Sequence, residues 1–106
     1  MFDNFFMSLV AARLCDNPDE RTVQMFTRNL LIVQEVTISH FSTELPDMSR
    51  DDILEMINNR ATALDQTLKS TIAEKGCADS EIINLVHMFD IHARMDLLNE
   101  GDQAAP

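Results

Sequence analysis

Three histidines, two cysteines and a surplus of carboxylates are the residues of this chain that could carry chemistry. His87 and His92 stand five apart, about 140° around a helix, so they do not share a metal from one face as an i, i+4 pair does. His40 follows Glu35 by five residues, not by the three of a di-iron bundle motif. No metal and no cofactor are therefore expected, and the histidines read as exposed or half-buried groups beside carboxylates. Cys15 and Cys77 sit in no CxxC pair, and no serine lies in a GxSxG turn. Two cysteines are too few for a disulfide framework. Both lie near predicted helix ends, so a bond is conceivable, but buried or free thiols in a reducing cytosol are the preferred reading. Two glycines leave no phosphate-cradling loop. Pairs such as Asp51-Asp52 fall at a helix start, where carboxylates answer the helix dipole. No reaction follows from these residues, and the chain is not expected to be an enzyme.

The length of 106 residues suits one domain. Eighteen acids against eight bases give a formal charge of -10, which repels phosphate and argues against direct nucleic-acid binding. The plain account of that charge is solubility. A DNA-reading helix would need more Lys and Arg than the second or fourth helix carries. Met1 to Leu14 is apolar, yet Asp3 comes early, no basic region precedes it and no small-x-small site lies before Cys15. It is also too short to span a bilayer. It reads as a helix of the mature domain, with no membrane contact and a cytoplasmic location.

The elements that must position these residues are helices. Few glycines and prolines, no tryptophan and no tyrosine disfavour sheet. The first helix is predicted over Asp3 to Cys15. Asn17 is expected to cap the second, with Pro18 at its first position, and that helix runs to about Thr43, before Leu45-Pro46. Ser49 caps a third with Asp52 three residues on, and Gly76 stops it after Lys75. Asp79 or Ser80 caps a fourth that reaches Glu100-Gly101. The expected fold class is all-α: a single domain, 1–101, forming a bundle of about four helices and a flexible tail at 102–106.

The third helix has one apolar stripe, Ile53, Ile57, Ala61, Leu64 and Leu68. The fourth has two: Ile82, Val86, Phe89, Ala93 and Leu97, and on the opposite side Met88, Ile91, Met95 and Leu98. The second helix is similar, with Val23, Phe26, Leu30, Val33 and Phe41 on one face and Met25, Ile32 and Val36 on another. Helices apolar on two faces need cover on both. Either the N-terminal helix supplies it, or some of the surface meets a second chain, and methionine suits an adaptable contact.

The run Ile91-His92-Ala93-Arg94-Met95-Asp96-Leu97-Leu98-Asn99 resembles the C-terminal helix of the TraM family of quorum-sensing antiactivators. In that family a His-Ala-x-Met-x-x-Leu-Asn pattern follows alternating apolar residues; His92, Ala93, Met95, Leu98 and Asn99 match it here. Leu45-Pro46 followed by Asp47, Asp51 and Asp52 resembles the family's Leu-Pro and acid-rich helix start. The likeness covers residues 45–99 and is tight over nine of them. The chain departs from the pattern in its longer N-terminal part and in Glu100-Gly101-Asp102, where the family continues apolar. In length and acidity it is also similar to QslA-type antiactivators. The resemblance implies a protein that binds a LuxR-type transcription factor and blocks its dimerisation or its hold on DNA. A homodimer is expected, with Met88, Ile91, Met95 and Leu98 at a dimer or partner interface and Ile32 and Val36 next. Met95→Glu would then break assembly and leave helicity largely intact. Two alternatives come from other classes. One is an acidic nucleic-acid mimic using Asp90, Asp96, Glu100 and Asp102; the other is a secretion chaperone.

Overall fold

Helix ends account for the order of elements in the computed structural model, which describes residues 1–97. Helix α1 spans Phe2–Cys15, α2 Glu20–Glu44, α3 Arg50–Lys75 and α4 Ser80–Arg94, an all-α bundle as the composition led one to expect. Three of the predicted boundaries hold. Ser49 Oγ accepts the Asp52 amide at 3.1 Å, Gly76 ends α3 at φ 83°, and Asp79 caps α4 by accepting from the Glu81 amide.

Two boundaries move. Asp19, not Asn17, caps α2, accepting the Thr22 amide at 2.7 Å. Asn17 instead belongs to the end of α1: its amide donates to the Ala12 carbonyl and its φ is 53°, a left-handed conformation that asparagine tolerates better than most residues. Helix α4 stops at Arg94, six residues before the expected Glu100, because a side chain takes over its last carbonyls. The Asn29 amide of α2 donates to the carbonyls of His92 at 2.7 Å and Met95 at 2.9 Å. Met95 turns extended, at φ -65° and ψ 141°.

The N-terminal helix is the centre of the bundle and touches all three others. Its Phe5 and Ala12 pack with Phe26 and Val33 of α2 and Phe89 and Ala93 of α4. On its other side, Val10 and Ala11 pack with Leu68 of α3 and Ile82 of α4. Ala11 and Ala12 are fully buried, and their small side chains let neighbours approach from both sides. A third cluster, Ile38, Ile53 and Ile57, closes the α2–α3 turn with Phe2, Phe41 and Met48 against it. No helix among the described residues is long and apolar enough to cross a membrane.

Cys15 and Cys77 are joined by a disulfide, which corrects the expectation of two thiols. The bond links the last residue of α1 to the turn before α4, across 62 residues, with Cα atoms 5.6 Å apart. Packing of Val10 and Ala11 against Leu68 and Ile82 brings those two ends together. That proximity is tertiary, so it left no trace in the spacing of the cysteines.

Candidate functional site

The two apolar stripes of helix α4 meet different fates. Ile82, Phe89 and Ala93 are buried against α1 and α2. On the opposite side Met88 is 38% and Ile91 47% exposed. They stand three residues apart, adjacent on the helix surface. Helix α1 therefore covers the first stripe only, and these two side chains stay in solvent.

The remaining expected site residues do not join that pair. Met95 lies past the helix end and packs, half-buried, against the cluster around Phe5, Phe26 and Phe89. Met95→Glu would thus disturb the core, contrary to the expectation that it probes assembly alone. Leu98 lies outside the described residues. Ile32 is half-buried and Val36 is exposed on α2, where Val36 lines a separate groove. Other exposed apolar residues were not expected from the sequence: Leu31 and Ile83 within helices, and Met1, Leu14 and Leu45 at or beside helix ends. Leu31 and Ile83 lie off the apolar stripes, so helical periodicity carries no sign of them.

Under the α4 face lies a buried polar cluster that spacing did not reveal. His92 is 6% exposed and its ring stacks on Phe5 with centroids 3.9 Å apart. Ser8 Oγ donates to the Phe5 carbonyl at 2.8 Å and lies 3.1 Å from His92 Nδ1. With its only proton on Phe5, Ser8 can only accept from Nδ1–H, which sets the neutral tautomer. Burial pushes the His92 pKa below its ordinary 6.5. This histidine is a core residue against an aromatic ring, not the half-exposed partner of a carboxylate that was expected; His40 and His87 are exposed. Ser8 is fully buried and its proton is committed, so the Ser–His contact has neither the access nor the free base that nucleophilic catalysis needs. Asn29 completes the cluster, and its Oδ1 is buried without a hydrogen-bond partner among the described residues. The His92-Ala93-x-Met95 run thus supplies a stacked ring, a fully buried alanine and a helix-ending carbonyl.

A groove of about 580 Å³ opens between the start of α1, the second half of α2 and the first half of α3. Phe2, Val36, Phe41, Met56 and Ile57 line it. The Arg60 guanidinium holds Asp3 at 2.7 Å on its rim and keeps that carboxyl below the usual range. Among the described residues, no three His, Cys, Asp or Glu side chains are grouped to hold a metal ion.

No known protein family, curated protein or solved structure matches this chain. The likeness to TraM rests on the quoted residues, of which His92 and Ala93 serve the core.

Proposed function

We propose that this chain is an antiactivator: a helical protein that binds a LuxR-type quorum-sensing regulator through the outer face of α4 and blocks its dimerisation or DNA binding. The observation that carries the reading is the pair Met88 and Ile91, exposed on a helix whose other face is core. Large apolar side chains adjacent in solvent lose water favourably against a partner, at about 25 cal/mol per Å² of apolar surface. The net charge of -10 supports a protein partner over nucleic acid. The acid-mimic alternative is weakened because Asp90 is already paired with Arg94 at 3.1 Å.

The proposal includes a homodimer and a cytoplasmic site of action, where a LuxR-type regulator works. The Cys15–Cys77 disulfide does not include Met88 or Ile91, so complex formation is expected with reductant present as well as without it. Light scattering of the protein, alone and mixed with an autoinducer-loaded LuxR-type regulator, tests this. A stable complex that strips the regulator from DNA, and that Met88→Glu or Ile91→Glu abolishes, is expected. A regulator that stays on its DNA with no complex formed would remove the antiactivator reading.

A further inference from the structure

The groove between α1, α2 and α3 lies apart from the α4 face and presents its own chemistry. Its wall combines apolar Phe2, Val36, Phe41 and Met56 with the polar Thr37 and His40, and Val36 is 56% exposed. Its volume of about 580 Å³ falls within the roughly 300–1,000 Å³ typical of sites that enclose side chains or small ligands. Helix periodicity extends these faces toward the α2–α3 turn. Glu44 follows Phe41 by three residues and Thr37 by seven, and Asp52 precedes Met56 by four. Both carboxylates are exposed, and neither takes part in an ion pair among the described residues. At the other end of the groove the one acid, Asp3, is neutralised by Arg60. The groove thus has the Asp3–Arg60 pair at one end, and helix spacing puts the two acids about one turn beyond its lining at the other.

We propose that this groove binds an amphipathic helix of a partner protein, its apolar face on Val36, Phe41 and Met56 and a lysine or arginine at the end that meets Glu44 and Asp52. Helices dock in such grooves through side chains at i, i+3, i+4 and i+7, and methionine in the wall adapts to them. A second copy of this chain does not fit this groove, because the acids that flank it call for a basic segment, and the homodimer would use another face. The groove does not depend on what covers Met88 and Ile91, so this inference stands independently of the antiactivator reading.

The test is a displayed library of fourteen-residue helices with leucine fixed at i, i+3, i+4 and i+7 and the other positions random, selected against the full chain. Selected peptides should be enriched in Lys or Arg at one end and should shift the methyl resonances of Val36, Met56 and Ile57. Val36→Glu should abolish binding. Joint replacement of Glu44→Gln and Asp52→Asn should weaken it roughly tenfold at low salt and flatten its salt dependence. Any one of four results would overturn the proposal: no peptide enriched, no bias toward basic residues, unchanged affinity in the double variant, or shifts confined to Met88 and Ile91. Methyl shifts produced by decanoate, with no peptide enriched, would identify a small-molecule site instead.

Discussion

Asn29 shows how one side chain sets a helix length that no pattern of apolar residues would reveal. Its amide occupies the carbonyls of His92 and Met95, acceptors that the next turn of α4 would otherwise use. Replacing it by leucine removes both bonds and leaves the His92 carbonyl only the Met95 amide at 3.4 Å, so urea unfolding should register a loss of about 1–2 kcal/mol. His92 makes a second prediction at this scale. Its pKa is depressed on folding, so the unfolded chain binds its proton more readily. Stability is therefore complete above about pH 6.5 and falls as the pH drops through the lower folded value. The carboxyls of Asp3 and Glu35, also depressed, matter only below their ordinary values of 3.8 and 4.5. A decline in the urea midpoint between pH 7 and pH 5 should thus belong to His92, and His92→Phe, which keeps a ring on Phe5, should flatten it. A midpoint equally pH-dependent in that variant would assign the effect elsewhere.

Among the elements, what could be read from sequence was local. Ser49 with Asp52, Gly76 after Lys75 and Asp79 before α4 are boundary signals complete within four residues, and the structure keeps them. Ser49→Ala should lower stability by about 1 kcal/mol, since α3 then loses its capping oxygen. Stripes located the core faces as well, because Ile53, Ile57, Phe26 and Phe89 are all buried. Periodicity did not reveal where α4 ends, and so it placed Met88, Ile91 and Met95 on one surface. Met95 faces the core, past a break made by a residue 66 positions away. Variants should separate the two cases. Met88→Glu, at an exposed position, should change stability by no more than about 0.5 kcal/mol, whereas Met95→Glu should lower it by about 1–2 kcal/mol. Thermal melts of both, beside their binding to the regulator, provide the check.

For the whole molecule, the disulfide is the feature the sequence hid most fully, since two cysteines 62 residues apart carry no pairing information. It closes most of the chain into a loop, and the chain-entropy account gives such a closure about 4 kcal/mol. Reduction, or Cys77→Ser, should lower the unfolding free energy by roughly 2–4 kcal/mol in a denaturant titration while far-ultraviolet circular dichroism stays helical. A titration unmoved by reductant would mean that the packing of Val10, Ala11, Leu68 and Ile82 holds these ends together unaided.

The central position of α1 also bears on how the molecule is made. This helix leaves the ribosome before the three that cover it, and one of its partners comes much later in the chain: Ser8 meets His92 across 84 positions. Until α4 emerges, Phe5, Val10, Ala11 and Ala12 have no complete shelter, and the core cannot close on a nascent chain. Helix α4 must therefore be made before this bundle can finish folding. During that interval the exposed first helix is the segment for which nascent-chain chaperones and aggregation would compete.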